Sequence, residues 1–116
     1  MGKLSTHVLD ITVGKPGVGV KVALYAVRPE GRKLVKTDVT NADGRCLPFL
    51  EGETMKAGKY ELVFSAGDYF AERGVEMPSP RFIDEVTLSF GIANVEQNYH
   101  VPLVVSPWAY STYRGS

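Results

Sequence analysis

Period-two alternation of apolar and polar residues, cut at short intervals by turn formers, is what most constrains this chain. Val20, Val22, Leu24 and Ala26 alternate with Lys21, Ala23, Tyr25 and Val27. Tyr60, Leu62 and Phe64 alternate with Glu61, Val63 and Ser65, and Val86, Leu88, Phe90 and Ile92 with Thr87, Ser89, Gly91 and Ala93. Successive side chains of a strand point to opposite faces, so each run gives a strand with one strongly apolar face. Between the runs lie Lys15-Pro16-Gly17, Pro29-Glu30-Gly31, Asn41-Ala42-Asp43-Gly44, Ala57-Gly58 and Pro78-Ser79-Pro80, all turn signals. Short strands at this spacing predict an all-β antiparallel sandwich or barrel. The strands are expected near 5–13, 19–28, 33–40, 45–50, 58–66, 83–93, 99–105 and 108–114. One segment departs from the pattern. Asp68 to Arg73 has an N-capping residue at its start and Gly74 after its end, and reads as a short helix.

A chain of 116 residues is expected to be a single domain, residues 1–116, with one core. Its 13 basic and 13 acidic residues balance. No basic face is there to steer nucleic acid, and no basic run to hold an anionic membrane surface. No stretch approaches the ~20 apolar residues of a membrane span. The one cysteine, Cys46, has no intrachain partner and reads as a small buried or half-buried hydrophobe. The expected compartment is the cytoplasm, with the peroxisome as alternative if a targeting segment precedes residue 1.

The residues able to carry chemistry are few. Both histidines, His7 and His100, lie on expected strands. His7 shares a side with Leu9 and Ile11, and His100 with Pro102 and Val104. Arg45 follows the Asp43-Gly44 turn, and Ser111 and Tyr113 share a side of the last strand. There is no phosphate loop, no HExxH motif and no carboxylate cluster, and two histidines with one distant cysteine make a poor metal site. Histidine titrates near neutrality and can act as a general base. Arginine offers a fixed planar charge to an anionic heterocycle or an oxyanion. Together they suit attack of water on an activated carbonyl. Each also has a plain structural reading: a strand-face histidine, a solvated arginine, a sheet hydroxyl, a packing aromatic. The residues alone lead to an antiparallel β domain with a histidine–arginine site.

The same segments carry a family resemblance. Leu4-Ser5-Thr6-His7-Val8-Leu9-Asp10, then Asp43-Gly44-Arg45-Cys46, then Tyr99-His100-Val101-Pro102-Leu103 and the ending Tyr110-Ser111-Thr112-Tyr113-Arg114-Gly115-Ser116 resemble the 5-hydroxyisourate hydrolases, the transthyretin-related enzymes of urate breakdown. The likeness covers the whole chain in order. The resemblance implies a transthyretin-like sandwich of two four-stranded sheets with one short helix. It also implies a homotetramer, a dimer of dimers, with active sites in the channel between dimers. His7, Arg45, His100 and Tyr113 are the implied catalytic residues. His7, Arg45, Ser111, Tyr113, Arg114 and Ser116 are implied to bind substrate, Arg114 and the Ser116 carboxylate by holding the tail in place. Either histidine can be the base. No metal or organic cofactor is implied, and the partners are a small purine-derived substrate and further copies of the chain, not nucleic acid or membrane. The competing readings are a transthyretin-like carrier of small aromatic ligands and a structural or adhesive β module.

Overall fold

A computed structural model describes residues 1–115 of the chain. The elements in order are β1 (Lys3–Ser5), β2 (Val8–Asp10), β3 (Lys15–Pro16), β4 (Lys21–Arg28), β5 (Gly31–Val39), β6 (Leu50–Glu51), a 3₁₀ turn (Gly52–Thr54), β7 (Gly58–Phe64), α1 (Ala66–Glu72), β8 (Val86–Ile92), β9 (Tyr99–His100), β10 (Leu103–Val105) and β11 (Tyr110–Thr112). One layer is an antiparallel sheet in the order β5-β4-β7-β8. Its inner face is the expected apolar set: Val22 and Leu24, Tyr60, Leu62 and Phe64, and Val86, Leu88 and Ile92 are all buried.

The facing layer is also four segments wide, but its ladders are broken. β6-β1-β9 forms one half and β11-β10-β2-β3 the other. The halves belong together because their registers run through the breaks. β1 pairs in parallel with β9 as Leu4↔Tyr99 and Ser5↔His100, and β2 with β10 as Leu103↔Val8, Val104↔Leu9 and Val105↔Asp10. The same alignment therefore joins residues 3–10 to 99–105. On the other flank Leu103↔Thr112, Val104↔Ser111 and Val105↔Tyr110 share one antiparallel register with the isolated bridge His100↔Gly115. Pro102 explains the gap, since it has no N–H for the ladder. Its carbonyl accepts from the Thr112 hydroxyl at 2.7 Å instead.

Several expected boundaries differ: the strand expected at 5–13 ends at Asp10, the one at 83–93 runs Val86–Ile92, and Lys15–Pro16, read as part of a turn, forms β3. The strand expected at 45–50 is paired only at Arg45, which bridges His7, and at β6. Pro48 lies between, and the Leu47 N–H donates to the Asp38 carboxylate at 3.1 Å. The last strand starts at Tyr110, not Trp108, because the Ser106 hydroxyl accepts the N–H groups of Trp108 and Ala109 and closes a turn. The helix starts at Ala66 with Ser65, not Asp68, as its N-cap residue. Asp68 accepts a hydrogen bond from Arg81 at 2.8 Å, outside the cap.

The inner residues of the broken layer are Leu4, Thr6 and Val8 with Asp10, and Tyr99, Val101, Leu103 and Val105, all buried. Asp10 is fully buried. Its Oδ2 accepts from the Tyr69 hydroxyl at 2.7 Å, and its Oδ1 accepts from the Thr12 N–H at 2.9 Å and the Thr12 hydroxyl at 2.5 Å. Burial first, then the hydrogen bond to Asp10, pushes the Tyr69 hydroxyl up to about 12. This clamp ties α1 to the strand that carries His7 on its opposite face. Replacing Tyr69 by Phe removes the hydroxyl donor and leaves Asp10 Oδ2 facing only the Arg73 Nε, at 3.8 Å. The change should cost about 1–3 kcal/mol, the usual cost of an unsatisfied buried polar group. Chemical unfolding of both proteins at equal concentration measures it, and equal stabilities would show that the clamp contributes nothing.

Candidate active site

The outer face of the broken layer gathers the reactive groups. On residues 3–10, the side chains opposite to the buried Leu4, Thr6, Val8 and Asp10 are Ser5, His7 and Leu9, all half-buried. The continuous registers set them in rows across the sheet. Ser5, His100 and Gly115 form the first row. Arg45, His7 and, continuing the same registers, Pro102 and Tyr113 form the second. Leu9, Val104 and Ser111 form the third. Period-two alternation puts Ser111 and Tyr113 on one side of their strand, and the observed pairing brings that side to the same face as His7 and His100. Pro102 differs from Leu9 and Val104 in being already buried within the chain.

Local structure fixes each position. Arg45 is delivered by the Asn41–Gly44 turn, where the Asn41 side-chain oxygen accepts the N–H groups of Asp43 at 2.9 Å and Arg45 at 3.1 Å. Gly44 has φ +74°, and its carbonyl accepts from the Val8 N–H at 2.8 Å. A Cβ there would lie 2.5 Å from the Val8 carbonyl oxygen. Only glycine meets both demands. The two imidazoles lie with ring centroids 6.5 Å apart, tilted by 32°.

His100 is held on both ring edges. Its Nδ1 is hydrogen-bonded to the Ser5 Oγ at 2.9 Å. Its Cδ2 edge faces Gly115, where a Cβ would come within 3.0 Å of Cδ2 and 3.1 Å of the His100 Cβ. Glycine at 115 therefore makes room for the imidazole. Burial first, then the charges of Arg45 and His7, holds His100 below the ordinary imidazole value of 6.5. At neutral pH this ring is an uncharged base beside a fixed cation.

Arg114 turns the other way. Its guanidinium lies 4.3 Å from the Tyr99 ring centroid and donates to the Asn98 carbonyl at 3.1 Å and the Gln97 side-chain oxygen at 3.3 Å. Tyr99 is an inner, buried residue, so Arg114 anchors the tail from the sheet side away from the imidazoles. That placement suits a residue that holds the tail in place. Ser116 lies outside the described residues. Ser5 and Gly115 were not singled out from the sequence. Ser5 lies two residues before His7 and so on its face, but its meeting with His100 depends on a partner 95 residues away. Among the described residues no group of three or more His, Cys, Asp or Glu side chains is arranged to hold a metal ion. Cys46 is half-buried and packs against the core. Burial, then Asp38, pushes its thiol up to about 11, which leaves it an inert thiol. A groove of about 520 Å³ lies on the other sheet, lined by Lys21, Tyr25, Asp38 and Glu85 among others, and contains neither histidine.

A model of the HIUase/Transthyretin family matches residues 4–115. The 5-hydroxyisourate hydrolase of Pseudomonas aeruginosa is 55% identical over 117 residues, covering 100% of this chain and 93% of that protein. Klebsiella pneumoniae 5-hydroxyisourate hydrolase superposes with a TM-score of 0.84 at 35% identity, with 100% of both chains covered. An (S)-allantoin synthase superposes with a TM-score of 0.94 at 44% identity over 99% of this chain, which spans 44% of that longer protein.

The packing of Gly115 against His100 can be tested apart from any activity. A Gly115→Ala protein should fold normally but push the imidazole aside, because the new methyl meets the ring at about 3 Å. A crystal structure of the variant should show the Ser5–His100 hydrogen bond broken or lengthened. An unmoved ring would show that the residue at 115 has no hold on it.

Proposed function

The chain belongs to the HIUase/Transthyretin family, and on that premise we propose how its outer sheet face hydrolyses 5-hydroxyisourate. The reaction opens the six-membered ring at its amide and gives 2-oxo-4-hydroxy-4-carboxy-5-ureidoimidazoline, in urate degradation toward allantoin. The observation that carries this reading is a neutral imidazole, His100, set beside a second imidazole and a fixed guanidinium on one face.

His100 takes a proton from water as the oxygen attacks the ring carbonyl. Arg45 holds the anionic heterocycle and steadies the oxyanion that forms. As the C–N bond breaks, the proton held by His100 passes to the departing ring nitrogen. His7, between Arg45 and His100, orients the substrate, with Tyr113 and Ser111 at its edge. Arg114 acts through the tail, by holding Tyr113 and Gly115 in register. His100 suits the base because burial, then the charges of Arg45 and His7, hold its affinity for protons down, and its ring is held by Ser5.

The remaining expectations fit one scheme. The chain acts as one hydrolase domain and assembles as a homotetramer, a dimer of dimers, in which copies of this face meet across a channel. The open face supports this: Tyr113 is 62% exposed and Ser111 is exposed on a single chain. A symmetric interface would present the same face twice and shelter both. The lone thiol suits a reducing compartment such as the cytoplasm. Among the described residues no helix is long and apolar enough to cross a membrane. A carrier of apolar aromatic ligands is disfavoured by two imidazoles and a guanidinium on the lining face.

The direct test is ultraviolet decay of freshly made 5-hydroxyisourate with and without the protein. Acceleration over the spontaneous rate is expected, and its absence from a well-folded assembly would overturn the reading. Replacing His100 by Asn should lower turnover by about two orders of magnitude or more while the assembly survives size-exclusion chromatography. The pH dependence follows from the direction of the His100 shift. The base works when neutral, so the rate falls as pH drops through its value in the folded protein. That value lies under 6.5, so the acid limb of kcat/KM should have its midpoint below 6.5. A midpoint above it would remove His100 from the role of base.

A further inference from the structure

His100 presents two nitrogens, and a general base must keep the correct one bare. One of its ring edges meets Ser5, a residue outside the implied substrate-binding set. The Nδ1 edge faces Ser5, with 2.9 Å between Nδ1 and Oγ. The Cδ2 edge faces Gly115. The remaining tip, with Nε2, is the part left to meet a ligand. A ring flip would turn Nδ1 toward Gly115, which has no side chain, and lose the hydrogen bond.

The backbone makes this contact obligatory. Ser5 and His100 are register partners in a parallel pair. The Val101 N–H donates to the Ser5 carbonyl at 2.9 Å, and the Thr6 hydroxyl donates to the Val101 carbonyl at 2.6 Å. Two bonds flanking the pair therefore hold the two side chains abreast on the outer face. A serine is short enough for the imidazole to lie over it. Among the described residues, no other partner engages the Ser5 hydroxyl. Ser5 is half-buried, so its own proton can go to water.

We propose that Ser5 is a positioning residue: its hydroxyl accepts the Nδ1 proton of His100 and so fixes the tautomer whose bare Nε2 faces the substrate. Which ring nitrogen holds the proton is set by the bond the other makes. The serine thus stands where an orienting carboxylate stands in other histidine-dependent hydrolases, but brings no charge. An aspartate at this place would raise the affinity of His100 for protons and oppose the effect of Arg45.

The kinetic part of this inference rests on the hydrolase reading, while its spectroscopic part does not. The experiment uses the full chain and its Ser5→Ala and Ser5→Thr variants. Nitrogen-15 NMR of the His100 imidazole at neutral pH, without substrate, reports the tautomer. The native protein should show a protonated Nδ1 and a bare Nε2. Ser5→Ala should move the population toward Nε2–H, and Ser5→Thr should restore the native pattern. With 5-hydroxyisourate, Ser5→Ala should lower kcat about 10–100-fold, the range seen when a partner that orients a working histidine is lost, with little change in KM. Ser5→Thr should recover most of it. A native protein with Nε2–H, or a Ser5→Ala protein with unchanged tautomer, overturns the proposal. So does unchanged kcat in the alanine variant. If no form of the chain hydrolysed 5-hydroxyisourate, the functional reading would fail while the NMR comparison still decided the role of Ser5.

Discussion

The parallel pairing of residues 3–10 with residues 99–105 is the constraint on which everything else depends. It joins two segments 95 residues apart, and every reported pair in it obeys one alignment. Parallel strands cannot be joined by a tight turn. Here the connection is nearly the whole of the rest of the protein, including the other sheet and α1. Once that alignment is set, three things follow together. Leu4, Val8, Val101 and Leu103 close the core from one side. His7 and His100 come to the same outer face. Ser5 comes abreast of His100. A slip of one residue by either segment would turn its own imidazole toward the core and bring an inner residue, Thr6 or Val101, outward. The core, which tolerates no such exchange, therefore guards the site.

The flanking segments are subordinate to this pair. The tail follows residues 100–105 in a single antiparallel register, and Arg114 over Tyr99 ties its far end. The Asn41–Gly44 turn presses Gly44 against Val8 and so sets Arg45 beside His7. Neither segment has a long ladder of its own. Each is fixed by a glycine that permits close approach, Gly115 to His100 and Gly44 to Val8. Backbone contact substitutes for regular pairing where the chemistry is placed.

Much of this was legible in the sequence, for a physical reason. Period-two alternation reports which side of a strand a residue takes, so the apolar faces of β4, β7 and β8 could be read directly, as could the shared side of His7 and Leu9. The alternation says nothing about which strand lies alongside, so the meeting of Ser5 with His100 was out of reach. Proline effects were only half legible. Pro48 and Pro102 break ladders within segments whose other residues all favour strand, so the expected strand at 45–50 shrank to β6 and the segment at 99–105 divided into β9 and β10. The helix start differs because two capping residues compete: Ser65, the observed N-cap residue, falls within the strand expected at 58–66, while Asp68 is engaged by Arg81. The resemblance of the tail to the hydrolases led to the correct family; it set Arg114 apart from Tyr113 and Ser111 as the residue holding the tail, but not the Tyr99 ring against which it packs.

The central claim is that this outer face, and no other concavity, receives the purine. A crystal structure of the protein with a stable oxopurine anion related to 5-hydroxyisourate tests it most directly. The account predicts the ring against His7 and His100, with a polar atom of the ligand on Arg45 and another within hydrogen-bond distance of His100 Nε2. A ligand seated in the groove of the other sheet beside Lys21 and Tyr25, with the histidine face empty, would contradict it.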